Sequence, residues 1–477
     1  MDKLKFGTSG LRGRVSDLTP AACQAHVRAF LAQLAASGSL GEARMLLVGQ
    51  DLRDSSPRIA EACFAAAAAE GFEPVDCGVL PTPALALEAN RLGVPAIMVT
   101  GSHIPADRNG LKFYRADGEI DKADERGILL KLAAAGSEGT EAPPAEAQLS
   151  HGALDRYAGR YLALRRDLPL GGLRIGVYQH SSVARDLLVE ILEGLGAEAL
   201  PLGRADGFVP VDTEALRPED VELARDWSAE HRMDAIVSTD GDADRPLIAD
   251  ESGQFLRGDV VGLLTAAFLG ADTVVTPVTS TSAVEKAELF ERSFRTKVGS
   301  PYVIDGMRLA QKAGARVVVG FEANGGVLIG TTATIGGATI EPLPTRDAIL
   351  PILAVLGLSV QERRPLSALV RALPPRFTAS DRLKNVPSES AQGFLKTIAG
   401  PSGRADAFVA GEGVLASVDT TDGPRLVLED GRVIHYRASG NAPELRCYTE
   451  AASQAEADAL LAWGLGQAQR ALDTQIA

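Results

Sequence analysis

The chain has 477 residues, 45% of them hydrophobic and 23% charged, with a formal net charge of −14. That length exceeds one ordinary core and points to three or four domains of a water-soluble globular protein. The negative balance argues against nucleic acid or an anionic membrane as partner. Four cysteines (Cys23, Cys63, Cys77, Cys447) show no CxxC spacing and read as reduced, partly buried thiols. Residues 1–13 lack an apolar signal core, and the apolar run 348–358 is too short to span a bilayer and contains Pro351, so a cytoplasmic protein without a membrane partner is expected.

In chain order, the first motif is Phe6-Gly-Thr-Ser-Gly-Leu-Arg12-Gly13, a glycine-rich loop whose Arg12 could contact phosphate. A β-branched strand over 96–100 then runs into Gly101-Ser102-His103-Ile-Pro105. Gly101 permits close approach of the backbone to a ligand, turn N–H groups can form an anion nest, and Ser102 can be a nucleophile or phosphate carrier. The bland reading is a turn serine bonded to its own backbone. A serine hydrolase is disfavoured, because no G-x-S-x-G elbow is present. His103 can orient or shuttle a proton, or cap the loop. Lys112, in Asn109-Gly-Leu-Lys, could neutralise phosphoryl charge. Residues 133–147, rich in Ala, Gly, Glu and Pro, read as a linker.

A second unit opens with a strand near 173–178 and a helix near 183–195. Its next strand, 234–239, leads into Asp240-Gly-Asp242-Ala-Asp244-Arg245. Three clustered carboxylates repel one another unless a cation joins them, and oxygen-only ligands select a hard ion such as Mg²⁺. Arg245 beside them suits a phosphate. Glu251 completes an EF-hand-like spacing, but Arg245 stands where that loop needs glycine and Pro246 follows, so the EF-hand reading is set aside. A turn at 250–253 and Gly258-Asp259 precede a third unit, with a strand near 273–278 and a helix near 302–313. Its strand 316–320 leads into Phe321-Glu322-Ala-Asn324-Gly-Gly326, a carboxylate and an amide suited to vicinal sugar hydroxyls. Each strand and polar loop is read as continuing into a helix, which implies βα units, mostly parallel sheets and sites at strand carboxyl ends.

Pro365 and Pro374-Pro375 mark the last boundary. Beyond it lies a smaller α+β piece with one strand-like stretch over 425–436. Its loop Arg437-Ala-Ser439-Gly440-Asn441-Ala-Pro, with Arg446 nearby, offers guanidiniums, a hydroxyl, an amide and backbone N–H groups as a dianion cradle. An amphipathic Ala-rich helix over 453–472 closes the chain. The expected domains are 1–148, 149–252, 253–366 and 367–477. The other histidines (His26, His151, His180, His231, His435) show no ligand spacing and read as structural.

These five loops, in this order, resemble the α-D-phosphohexomutase family over essentially the whole chain. The resemblance implies four domains around a central cleft: three related α/β units with mixed sheets between helices, plus a smaller C-terminal α+β domain. It implies a mutase interconverting hexose 6-phosphate and hexose 1-phosphate, through phosphoserine at Ser102 and a hexose 1,6-bisphosphate intermediate. Ser102, Asp240, Asp242 and Asp244 would meet Mg²⁺. Arg12, Lys112 and Arg245 would offset developing charge, Glu322 and Asn324 would grip the sugar, and Arg437, Ser439, Gly440, Asn441 and Arg446 would hold the distal phosphate. Three departures stand out: Gly326 where several bacterial phosphomannomutases have histidine, no histidine in Lys297-Val-Gly-Ser300 (where Lys297 could contribute), and Asn441-Ala442 where many relatives have Thr-Glu. Mannose is the expected sugar, with glucose beside it. An amino-sugar phosphate, and a non-catalytic sugar-phosphate sensor, are the alternatives. The expected assembly is a monomer or homodimer.

Overall fold

The computed structural model describes all residues except 1–3, 8–9, 42, 136–140, 401–403, 439–442 and 477. It divides into two compact units, one of residues 1–274 with 299–370, the other of 275–298 with 371–477. Among the described residues no helix is long and apolar enough to cross a membrane.

The first unit begins with a mixed sheet. Strands Ala96–Val99, Met45–Gln50 and Glu73–Val79 run parallel, and Arg108–Arg115 lies antiparallel beside Ala96–Val99. Gly10–Arg14 extends the sheet with Arg12 opposite Gly110. Helices Pro20–Ser37, Ser56–Ala69 and Lys122–Ala135 contribute Val27, Phe30, Ile59, Phe64 and Ile128 to a buried cluster with Val48, Ile97 and Phe113. Pro20 opens its helix and the Thr19 hydroxyl accepts from the Ala22 N–H at 3.2 Å, a regular N-terminal cap. The expected linker starts later than composition suggests, because Lys122–Ala135 stays helical through its alanines.

A second mixed sheet has the order Glu198–Arg204, Arg174–His180, Ala235–Thr239, Pro246–Ala249. Its first three strands are parallel and the last is antiparallel. Helix Arg185–Gly194 packs on it through Leu187, Leu188 and Ile191. Farther on, Val318–Phe321, Val327–Ile329 and Leu343–Asp347 form an antiparallel run. Helix Ile349–Glu362 then buries every residue from Ile349 to Leu358. Its first turn is held by Asp347, which accepts from the Ile349 N–H at 2.8 Å and from the Tyr157 hydroxyl at 2.6 Å.

One expectation is corrected here. The three polar loops are not followed by helices. Each connects two neighbouring antiparallel strands: Val99 pairs with Leu111, Thr239 with Pro246, and Phe321 with Val327. Two of the return strands, Pro246–Ala249 and Val327–Ile329, are short apolar runs whose length does not distinguish them from the start of a buried helix; the third, Arg108–Arg115, is longer and interrupted by Asn109 and Lys112.

The second unit carries a five-stranded antiparallel sheet in the order Phe377–Lys384, Glu444–Ala451, Val433–Ala438, Arg425–Leu428, Leu415–Asp419. Helices Ser388–Ala399 and Gln454–Ile476 enclose Phe394, Ile398, Ile434, Tyr436 and Leu460 against it. The single strand expected over 425–436 is a hairpin. Gly431, at φ +84°, supplies the left-handed residue of its turn. All four cysteines are buried and free.

Candidate active site

The serine loop and the acidic loop meet. Ser102 is 1% exposed, and its hydroxyl donates to Asp240 Oδ2 at 2.6 Å across 138 residues of sequence. The backbone strain lies at Ser102 itself, at φ +56°, rather than at Gly101. Gly101 is needed for space: a Cβ there would stand 2.8 Å from Arg53 Cζ. Arg53 lies under the loop and donates to the Ser102 carbonyl at 3.0 Å and the Ile104 carbonyl at 2.5 Å. It is paired with Asp51 and stacks on Phe208, 3.8 Å from the ring centroid. Asp51 in turn accepts from the Thr100 and Ser56 hydroxyls at 2.7 and 2.6 Å, while the Thr100 oxygen accepts the Ser102 N–H at 2.8 Å.

The acidic loop is equally determined. Ala243, at φ +57°, turns the chain between Asp242 and Asp244. Thr82, at the start of helix Thr82–Leu92, donates its N–H to the Asp242 carbonyl at 2.9 Å and its hydroxyl to Asp242 Oδ2 at 2.5 Å. The helix thus presents the positive end of its dipole to this carboxylate. Lys112 Nζ lies 2.5 Å from Asp242 Oδ2 and 2.6 Å from Asp244 Oδ2. Arg245 is buried, with Nε 3.7 Å from Asp244 Oδ1 and Nη1 3.9 Å from Asp212 Oδ1.

Asp240, Asp242 and Asp244 offer carboxylate oxygens all within 4.8 Å of one another. Asp242 Oδ1 and Asp244 Oδ1 are buried without a hydrogen-bond partner. Unsatisfied buried carboxylate oxygens in an all-oxygen set fit a hard divalent cation. Burial, then Asp242 and Asp244, push the Asp240 carboxyl far above the usual range. At Asp244 burial opposes ionisation, but Arg346, Lys112 and Arg245 overcome it and hold the carboxyl well below that range.

The remaining site residues take different positions. Burial, then Arg245, lowers the Arg12 guanidinium to about 10. His103 Nδ1 lies 3.1 Å from the Ser102 hydroxyl. Burial, then Arg245 and Arg12, depresses that imidazole far below its ordinary value, so it is neutral. Glu322 is buried and accepts from Ser300 at 3.3 Å and from Arg346 at 2.7 Å. Asn324 uses its side-chain oxygen to accept the Gly326 N–H at 3.0 Å, closing its own turn.

Arg437, Arg446 and Lys297 belong to the second unit. There Asp422 is ion-paired with Arg437, Oδ2 to Nε 2.7 Å, and accepts from the Val298 N–H at 3.1 Å, which anchors the backbone next to Lys297. Arg446 lies opposite Arg437 across the strand pair, 3.8 Å from Glu444. Ser439, Gly440 and Asn441 lie outside the described residues.

Asp51, Arg53, Thr82, Phe208 and Arg346 were not found by sequence reasoning. Two signals could have found the arginines. Asp51-Leu-Arg53 places a charged pair just past an apolar strand, and Arg346-Asp347 places one just before the most apolar run of the chain.

Comparison with known proteins matches this arrangement throughout. The description phosphoglucomutase/phosphomannomutase, alpha/beta/alpha, matches as domain I over residues 3–138, domain II over 159–253 and domain III over 257–377; its C-terminal domain matches 383–462. A phosphomannomutase of Sinorhizobium fredii is 47% identical over 97% of this chain and 98% of its own length. The chain belongs to the phosphoglucomutase/phosphomannomutase family. It is a phosphohexomutase, an enzyme that transfers phosphate within a hexose phosphate. Other relatives in the family include a phosphomannomutase of Salmonella muenchen, 43% identical over 95% of this chain and 93% of that protein. A phosphoglucosamine mutase of Symbiobacterium thermophilum is 31% identical over 96% and 97%. The fold matches a phosphoglucomutase/phosphomannomutase family protein from Burkholderia thailandensis, with a TM-score of 0.75 at 23% identity, covering 98% of this chain and 96% of that one.

Proposed function

We propose that this phosphohexomutase interconverts mannose 6-phosphate and mannose 1-phosphate, accepts the glucose phosphates as second substrates, and works in the cytoplasm with magnesium. The supporting observation is the 2.6 Å contact between the Ser102 hydroxyl and Asp240, within the acidic trio. Relatives at 47% and 43% identity carry the name phosphomannomutase, which supports mannose.

In this reading Ser102 carries a phosphoryl group. The bond from phosphorus to Oγ breaks, a bond forms to the oxygen of the free hydroxyl of the hexose monophosphate, and the proton of that hydroxyl ends on Ser102 Oγ, giving the 1,6-bisphosphate and a free serine. The bisphosphate reorients, and its other phosphoryl group returns to Ser102. Asp240, Asp242 and Asp244 would hold the magnesium ion, which supplies positive charge for phosphoryl oxygens. Lys112, Arg12 and Arg245 add fixed positive charge from the protein, and most of the rate comes from positioning and charge neutralisation. Neutral His103 acts as a hydrogen-bond partner of Ser102. Glu322 and Asn324 take the sugar hydroxyls. Arg437, with Ser439, Gly440, Asn441, Arg446 and Lys297, takes the phosphate that is not reacting.

The test is turnover of mannose, glucose, glucosamine and N-acetylglucosamine 1-phosphates with catalytic hexose 1,6-bisphosphate. Mannose 1-phosphate should have the highest kcat/KM; a preference for an amino sugar overturns the substrate assignment. Ser102→Ala should lose roughly a thousandfold or more in kcat while still binding sugar phosphate. The resting protein should carry about 80 Da extra on the Ser102 peptide. Unchanged turnover in the alanine variant removes the carrier role.

A further inference from the structure

Glu322 and Asp244 lie on different loops, and one side chain joins them. Arg346, on strand Leu343–Asp347, has a side chain only 3% exposed. Its Nη2 and Nε lie 2.6 and 3.3 Å from Asp244 Oδ2. Its Nη1 lies 2.7 Å from Glu322 Oε2 and 2.7 Å from the Ser300 hydroxyl. The same Glu322 oxygen accepts from that hydroxyl at 3.3 Å. One planar guanidinium therefore presents two donors to the acidic loop and one to the putting-together of Glu322 and Ser300, a geometry that an ammonium group cannot reproduce.

The loop is shaped around this arginine. A Cβ at Gly326 would stand 2.6 Å from Arg346 Cδ and 2.9 Å from its Cγ. Position 326 is bare because the arginine stem and the Asp244 carbonyl oxygen, 2.8 Å from such a Cβ, both close over it. Asp244 Oδ2 already has Lys112 Nζ at 2.6 Å, and Arg245 flanks its other oxygen. Arg346 divides its charge between Asp244 and Glu322, and the share at Asp244 opposes a divalent ion at the same trio.

We propose that Arg346 is a positioning residue that couples sugar recognition to the metal site: it fixes Glu322 for the sugar hydroxyls and holds the acidic trio's cation affinity below what three carboxylates alone would give. The sugar half of this proposal rests on the function proposed above; the metal half does not.

The experiment measures Mg²⁺ and mannose 1-phosphate affinities by calorimetry on full-length, dephosphorylated protein, with kcat and KM beside them. Arg346→Gln should bind Mg²⁺ roughly threefold to tenfold more tightly, because a competing charge is gone. The same variant should bind mannose 1-phosphate about tenfold more weakly, with KM rising more than kcat falls. Arg346→Lys keeps the charge but loses the fork, so Mg²⁺ affinity should stay within about twofold of wild type while sugar binding still weakens. A residue that merely supports the fold would weaken both ligands together with the melting temperature; that result in Arg346→Gln overturns the proposal. Ser300→Ala removes the hydroxyl that joins Arg346 to Glu322 without changing charge or touching the acidic loop. It should weaken sugar binding and leave Mg²⁺ binding unchanged, and unaltered sugar affinity there also overturns the proposal, even if the glutamine variant does not fold. If wild-type protein fails to turn over mannose 1-phosphate, the proposed substrate falls while the Mg²⁺ comparison still decides the metal half.

Discussion

Ser102 holds a left-handed backbone at φ +56°, which costs a residue with a side chain on the order of 1 kcal/mol and persists only where neighbours enforce it. Arg53 is the enforcer, bonded to the carbonyls of Ser102 and Ile104. Arg53→Ala should leave Asp51 buried without its partner and lower stability by about 3–5 kcal/mol. It should also lower kcat more than it changes KM, and a thermal melt run beside steady-state kinetics checks both. His435 supplies a pH-dependent test. Its Nε2 contacts the Asp422 carbonyl at 2.8 Å, and burial lowers its pKa to about 4. The unfolded chain, with an ordinary histidine near 6.5, binds the proton more readily, so stability is full above about pH 6.5 and falls as pH drops toward about 4. His435→Gln should flatten that part of the melting-temperature profile relative to wild type; parallel profiles would refute this source. At this scale the sequence was legible where the candidate residues are contiguous. Ser102 lies in one six-residue motif, 100–105, and the three aspartates in another, 240–245, whereas Arg53 and Arg346 act on partners 49 and 102 residues away, and nothing local marks those pairings.

Elements position the loops by close backbone approach. The first residue of helix Gly258–Phe268 abuts the sugar loop so tightly that a Cβ at Gly258 would lie 2.3 Å from both the Ala323 carbonyl oxygen and the Gly325 nitrogen. Gly258→Ala should therefore destabilise by about 1–3 kcal/mol through overpacking and displace Glu322 and Asn324, raising KM for the sugar phosphate. An unchanged KM would show that the loop is placed independently of this helix. The strands before the three loops were readable from their β-branched runs, and each begins or ends within two residues of expectation. The strands after them were not. Pro246–Ala249 and Val327–Ile329 span four and three residues, too few for periodicity to distinguish a hairpin return from a helix.

At the scale of the whole molecule, the strand and loop pattern conveyed a run of α/β units, but it could not show how two units are assembled from interleaved stretches of chain. Residues 275–298 join 371–477 rather than their sequence neighbours. The four buried, free cysteines predict that Ellman's reagent labels about none of them in native protein and all of them in denaturant; rapid native labelling would contradict this burial. The meeting of Ser102 with Asp240, Lys112 with Asp242 and Asp244, Thr82 with Asp242, and Arg53 with Phe208 has a further consequence. All these contacts join residues before 136 to residues after 147. A protease site placed between Pro144 and Ala145 could be cut, and the two pieces should still travel as one species on a sizing column, because the join that matters is made by folded side chains and not by the peptide thread.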